Sequence, residues 1–292
     1  MNWKKVLIAS LTLVSTMSLF TGCGQDQNAA GDSDTSKKIV IGLDDNYPPM
    51  GFKDDKNEIV GFDVDLAKET VKRLNREVEF KAIDWSSKEA ELSSKRVDIL
   101  WNGLDITDER KKNMLFSNPY MNNRQIIFVK KGTTGISDEA SLAGKIVGTQ
   151  SASTAEEYFE ANESVKNSLS ELRTYSDYLT AFMDLENGRV DAIVCDEIVG
   201  RYYASKHQEA IDVIDSTVGA TSQFGIAFRK DDTALQTEIQ KAFDEVVKDG
   251  TGEKISNQWF GTNLLLPVAN SESNKETQES QPAPDAQPAA AQ

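Results

Sequence analysis

The chain has 292 residues, with 47 acidic against 32 basic side chains and a formal net charge of −15. That length allows two lobes or one large domain, and 39% hydrophobic with 27% charged residues supports a packed core rather than global disorder. The acidic balance argues against nucleic acid as a partner. A single histidine, His207, excludes a multi-histidine metal centre, and two cysteines, Cys23 and Cys195, cannot build a disulfide framework.

Residues 1–22 carry Lys4 and Lys5, then an uncharged, mostly apolar run over 6–20, then Thr21 and Gly22. This is the layout of a signal peptide, too short in its apolar part for a stable spanning helix. Thr21-Gly22-Cys23 resembles the lipobox of bacterial lipoproteins, in which the cysteine becomes the lipidated first residue of the mature chain. Residues 23–37 then read as the lipidated cysteine and a flexible polar tether. No second apolar stretch of about 18 residues follows, so a lipid on Cys23 is the expected membrane attachment.

Strand and helix patterns alternate through the body. Residues 39–43 read as a strand and 44–50, with two prolines, as a loop. Over 62–74, Val64, Ala67, Val71 and Leu74 share one helical face. A strand over 78–83, a short helix over 86–94 capped by Ser86, and a strand over 97–101 follow. Thr107 is placed to cap a helix whose first turn holds Asp108, Glu109 and Arg110. A strand over 125–130 leads into a second unit: a strand at 146–147, a helix from Ser153 to Phe159 with early acids, a helix over 178–185, a buried strand over 190–194 and a helix over 197–204. Strands at 213–214 and 225–228 and an amphipathic helix over 235–246 complete the pattern. Residues 269–292 are rich in Ser, Glu, Gln, Pro and Ala and read as a disordered acidic tail.

The alternation predicts an α/β fold. Two units joined by extended segments predict two lobes with a ligand cleft between them. The expected division is 38–126 for the first part of lobe one, 127–223 for lobe two with the hinge, and 224–268 for the return to lobe one. The two crossings are expected at 125–130 and 224–228.

The segment Gly61-Phe62-Asp63-Val64-Asp65-Leu66-Ala67 resembles the signature of the bacterial extracellular solute-binding proteins of family 3, the polar amino-acid-binding components of ABC importers. Residues 42–50, 101–110 (WNGLDITDER), 145–154 (KIVGTQSAST) and 189–197 (RVDAIVCDE) match in family order. Thr70 departs mildly from an aliphatic preference. The resemblance implies a two-lobe, type II periplasmic-binding-protein-like fold, joined by two hinge strands. It also implies the work of an extracellular lipoprotein: capturing a polar amino acid and delivering it to a membrane permease.

The site residues follow from that resemblance together with their chemistry. Arg110 can grip a carboxylate with two parallel donors and stands where the family binds the ligand carboxylate. Ser153 and Thr154 open a helix, where free N–H groups favour the same anion. Asp196 ends a buried strand, where the family binds the α-ammonium. Gly103 is expected to contribute backbone contacts and Tyr47 to stack over the ligand. Trp101 is divided evenly between cleft wall and core. Asp105 can take the ammonium or read the side chain, and Gln150 can line the pocket from lobe two. Asp44, with Asp105, favours a basic or amide side chain, or cystine with its second ammonium, over an acidic one. Cys195 reads as a small buried hydrophobe.

No metal or cofactor is expected, and the absence of a P-loop pattern argues against a bound nucleotide. A monomer, lipid-anchored on the outer face of the cell membrane, is the expected state. The rival readings are a surface adhesin or sensory lipoprotein on this fold and, behind it, a dehydratase-like enzyme with Asp44, Asp105 or Glu197 as general acid.

Overall fold

The computed structural model describes residues 38–268; the expectations for residues 1–37, Cys23 among them, and for 269–292 lie outside the described residues. Elements follow in chain order as β1 (Ile39–Leu43), β2 (Asn46–Tyr47), β3 (Gly51–Lys53), β4 (Ile59–Val60), α1 (Phe62–Arg73), β5 (Val78–Ala82), α2 (Lys88–Ser93), β6 (Ile99–Leu100), α3 (Asp108–Asn113), β7 (Met114–Phe116) and β8 (Met121–Lys130). Then come β9 (Ile146–Gln150), α4 (Thr154–Ala161), α5 (Glu163–Ser168), β10 (Glu171–Tyr175), α6 (Tyr178–Glu186), β11 (Ala192–Asp196), α7 (Glu197–Lys206), β12 (Ile211–Phe224), β13 (Ala227–Arg229), α8 (Thr233–Lys248) and α9 (Thr251–Phe260).

Two five-stranded sheets share one plan. In lobe one the order is β5-β1-β6-β13-β7, and in lobe two β10-β9-β11-β8-β12. The first three strands of each are mutually parallel and the last two join antiparallel. Parallel strands buried on both faces need apolar side chains throughout, and β11 (AIVCD) is buried at every position. In an α/β sheet, ligands bind beyond the carboxyl ends of such strands. Asp44, Trp101, Gln150 and Asp196 stand at or just past the ends of β1, β6, β9 and β11.

Helix ends are fixed locally. α1 has Asp63 and Asp65 in its first turn and Lys72 and Arg73 in its last, each matched to the helix dipole. The Thr107 hydroxyl accepts from Arg110 N and the Ser153 hydroxyl from Glu156 N, so both caps expected from the sequence form. Such caps contribute about 1 kcal/mol each. Ser86 does not cap; Asp84 accepts from its amide one turn earlier, and a 3₁₀ turn over Trp85–Ser87 precedes α2.

The crossings differ from the sequence expectation. Residues 125–130 lie within the lobe-two sheet and 227–229 within the lobe-one sheet. The chain passes between them through 117–123 and 222–226, which run antiparallel and bond to each other, as in Ser117 N to Ile226 O at 2.8 Å and Tyr120 N to Phe224 O at 2.9 Å. Asn122, Asn123, Ser222 and Gln223 make these segments polar, so apolar periodicity does not reveal them. Across the interface the Tyr47 and Tyr178 ring centroids lie 6.1 Å apart, and the lobes meet in a closed arrangement.

Candidate functional site

Asp44 leaves the end of β1 with its carboxylate almost fully buried. It accepts from Asn46 N at 2.9 Å and, across the cleft, from Gln150 Nε2 at 2.6 Å. Burial pushes its pKa up to about 6, and the charges of Asp177 and Asp45 add to the rise. The Gln150 amide also donates to Ser176 O at 2.9 Å, which holds it against lobe two while it reaches lobe one.

The densest acidic ground lies where β11 ends against the crossing strands. Asp196 accepts from Tyr47 Oη, Asn123 Nδ2 and, at 2.7 Å, Gln125 Nε2. Asp105 accepts from the same Asn123 amide at 3.1 and 3.2 Å and from Ser222 Oγ at 2.6 Å. Burial raises both carboxyls, and Asp105, at about 6, also feels the charge of Asp196. Every direct side-chain donor to this pair is neutral. Asn123 Oδ1 and Gln125 Oε1 are buried beside it and find no partner among the described residues. A region with two carboxylates and two unused carbonyl acceptors lacks a donor, ideally a cationic one.

The opposite end belongs to Arg110, on α3 with its side chain 2% exposed. Its five N–H groups are all engaged. Nε and Nη2 donate to Glu157 Oε1 at 3.0 and 2.8 Å, Nη1 to Asp105 O and Thr154 Oγ1 at 3.1 and 3.3 Å, and Nη2 also to Ala152 O at 3.3 Å. Lys88, 3% exposed on α2, reaches the same Ala152 carbonyl at 2.7 Å. Burial, then the Arg110 charge, lowers the Lys88 pKa to about 8. Ser153 Oγ pairs with Thr149 Oγ1 at 3.2 Å, so its hydroxyl serves the turn.

Beneath this layer Asp63, fully buried on α1, accepts from Gly103 N at 2.6 Å and from Tyr120 Oη at 2.9 and 3.0 Å. Burial lifts its pKa to about 7. Gly103 sits at φ +57°, and a Cβ there would meet the Tyr47 ring at 3.0 Å. Its N–H is committed to Asp63, which leaves its carbonyl as the backbone group that can face a ligand.

The structure thus gathers Asp44, Tyr47, Gly103, Asp105, Arg110, Gln150, Ser153, Thr154 and Asp196 around one cleft. Trp101 is the correction: it packs in the lobe-one core, its ring 5.5 Å from Phe243 and 6.3 Å from Tyr120. Cys195 is buried with its thiol on Asp196 O, and Glu197 points away to Arg124 and Arg201. Sequence reasoning missed Lys88, Asn123, Gln125 and Glu157. No local signal marks them, because each acquires its meaning from a partner in the other half of the chain. A groove of about 1130 Å³ runs beside the crossing strands, lined by Ile106, Phe116, Arg124 and Gln223, and includes none of the ten candidate binding residues. Among the described residues no group of His, Cys, Asp and Glu could hold a metal ion.

Two lobes on antiparallel crossings, with polar residues converging between them from strand ends, define the class of two-lobe type II binding proteins. The model of the bacterial extracellular solute-binding proteins, family 3, matches residues 39–262, and the chain belongs to that family. It is 34% identical to the L-cystine-binding protein TcyJ of Escherichia coli K12 over 77% of this chain and 84% of that protein. It is also 34% identical to the ABC transporter arginine-binding protein 1 of the same organism, over 77% and 91%. A crystal structure of an ABC uptake transporter substrate-binding protein from Streptococcus pneumoniae with bound histidine superposes with a TM-score of 0.75 at 36% identity, covering 78% of this chain and 94% of that one.

Proposed function

We propose that this chain captures one free α-amino acid with a cationic side chain and delivers it, unchanged, to the permease of an ABC importer. The observation that carries the reading is the set of buried carboxylates, Asp44, Asp105 and Asp196, facing a cleft whose arginine already has a carboxylate partner. Arg110 and the opening turn of α4, at Ser153 and Thr154, take the α-carboxylate, and Asp196 with Asp105 takes the α-ammonium. Tyr47 covers the aliphatic stem, with the Gly103 carbonyl beside it. Asp44 and Gln150 meet the far end of the side chain. Asp45 and Asp177 add negative charge near Asp44, which favours a basic amino acid over cystine, whose far end carries its own carboxylate. Relatives are named for cystine as well as for arginine and histidine binding, so the choice among these rests on the charge around Asp44.

In this reading lobe one comprises 38–116 and 227–268 and lobe two 124–221, with the crossings 117–123 and 222–226 between them. Closing them around the ligand is what the permease would recognise. Residues 1–22 act as the signal peptide and Cys23 carries the lipid that holds a monomeric head outside the cell membrane. No residue is assigned a catalytic role. Calorimetry on the full folded head with arginine, lysine, histidine, glutamine and cystine tests the ligand class, with the ligand recovered afterwards for mass analysis. A basic amino acid should bind tightest and return intact. Failure of all five to bind would overturn the reading, and conversion of the ligand would favour an enzyme. Cys23→Ser should shift the protein from the membrane fraction to the medium or leave an unprocessed precursor; an unchanged mass and unchanged membrane fraction would remove the anchor.

A further inference from the structure

Arg110 has no N–H left over. Its Nε/Nη2 edge, the two-pronged edge suited to a carboxylate, is held by Glu157 Oε1 at 3.0 and 2.8 Å. The two residues come from opposite lobes, Arg110 from α3 and Glu157 from the first turn of α4. A ligand carboxylate can take this edge only by displacing a group of the protein. Of the groups bonded to the guanidinium, the Asp105 and Ala152 carbonyls are fixed by the backbone, and Thr154 Oγ1 sits on a short side chain at the helix start. Glu157 is the one that can leave. Its side chain is 36% exposed against 2% for Arg110, so it can return to water at little cost. The Lys88 ammonium lies close enough for the Glu157 charge to act on it, giving the displaced carboxylate a second cation.

We propose that Glu157 is a built-in competitor for the α-carboxylate of the amino acid: its ion pair with Arg110 draws the lobes together without a ligand, and the ligand must displace it to bind. This rests on the assignment of Arg110 to the ligand carboxylate. The consequence is a weaker apparent affinity than the cleft could give, because part of the population is already closed upon itself and must reopen. The same pair limits how far the lobes separate before binding. Glu157 is therefore an affinity-setting residue that acts through Arg110.

Glu157→Gln and Glu157→Ala, made in the full chain, test the inference in two arms. Calorimetry with L-arginine should show both variants binding about 5- to 30-fold tighter than the wild type, the range expected when a mostly self-closed population is released. L-Argininamide meets the same self-closed population but has no α-carboxylate to take the Arg110 edge from Glu157, so its gain should be smaller than that of L-arginine. Small-angle scattering without added amino acid should show a larger radius of gyration in both variants than in the wild type. Equal or weaker arginine binding in both variants overturns the proposal and makes Glu157 a residue that orients Arg110 for the ligand. An unchanged radius overturns it as well. Should the wild type bind no amino acid at all, the ligand reading falls, and the radius alone decides whether Glu157 draws the lobes together.

Discussion

The two ends of the cleft solve the burial of charge in opposite ways. At the arginine end, one guanidinium is matched donor for acceptor, by two backbone carbonyls, a hydroxyl and the Glu157 carboxylate. At the aspartate end, Asp105 and Asp196 share only amides and hydroxyls as side-chain donors, and two amide oxygens beside them are unused. Buried carboxyls served by neutral donors rise in pKa, as Asp105 and Asp196 do. The first end is complete in the protein alone. The second keeps two unused acceptors, and in the proposed reading a ligand cation would complete it and so set the direction of a zwitterion.

Breaking either end outright should produce the largest effect. Arg110→Ala takes the charged partner from the ligand carboxylate and Asp196→Ala leaves the ammonium with Asp105 alone, each a loss of about 2–5 kcal/mol, or roughly 30- to several-thousand-fold in affinity. Titration calorimetry reads this directly, and wild-type affinity in either variant would remove that residue from the site. Asp196→Asn should be milder, since one acceptor oxygen remains.

Asp44→Asn sharpens the comparison by touching the far end alone. Arginine and lysine should lose about 10- to 100-fold, in line with about 1.4–2.7 kcal/mol for one charge partner, while glutamine changes little. An equal loss for all three ligands would show that Asp44 shapes the cleft and does not read the side chain.

The same asymmetry should appear as a pH dependence. Asp44 and Asp105 have folded pKa values of about 6 and Asp63 of about 7, against 3.8 unperturbed. Between these limits the folded state holds more protons than the unfolded one. The stability these groups contribute is therefore fully present below about pH 4 and is lost as pH rises through 6 to 7. About 3 kcal/mol per cleft carboxyl is at stake. Urea denaturation without amino acid should give higher stability at pH 5 than at pH 7.5, and Asp44→Asn with Asp105→Asn should flatten the slope. Lys88, lowered to about 8 from 10.5, adds a rise in stability between those values, where the unfolded chain holds its proton longer. A bound cation favours the ionised carboxylates, so binding near pH 6 should release protons, detectable as a dependence of the calorimetric heat on buffer ionisation. Equal heats in phosphate and bis-Tris at that pH would contradict the aspartate end as drawn.

The smallest effect concerns the layer below. Tyr120→Phe removes one donor from Asp63 and leaves Gly103 N on it. Stability should fall by about 1 kcal/mol with ligand affinity within twofold. A tenfold loss of affinity would show that Tyr120, through Asp63 and Gly103, tunes the cleft itself.

What the sequence reveals here depends on distance along the chain. The Thr107 and Ser153 caps, the amphipathic α1 and α8 and the apolar strands are legible because their causes lie within a turn or a few residues. β12 is not: fourteen residues long, it is half exposed along much of its length, carries two register shifts and reads as apolar only at 213–214. α9 went unread because its buried side, Gly252, Ile255 and Ser256, is small and partly polar. In the site, the motif resemblance reaches residues at strand ends, where function and local pattern coincide. It does not reach Lys88, Asn123, Gln125 or Glu157, whose partners lie 18 to 99 residues away. Trp101 shows the reverse case: a residue inside a matching motif whose bulk is used for the core.

The place of β13 between β6 and β7 has a consequence for how the molecule comes to exist. A growing chain delivers β1 to β7 first, yet their sheet lacks its fourth member until residue 229 is made, and α1 lacks the α8 and α9 surfaces it packs on until residue 260. Lobe two is continuous in sequence and has all its strands by Phe224. Lobe two closes on β8–β12 pairs 81 to 103 residues apart within one continuous stretch, while the older half waits, apolar faces uncovered, for β13 pairs 111 to 129 residues apart. Lobe one is therefore the half whose sheet is completed last along the chain.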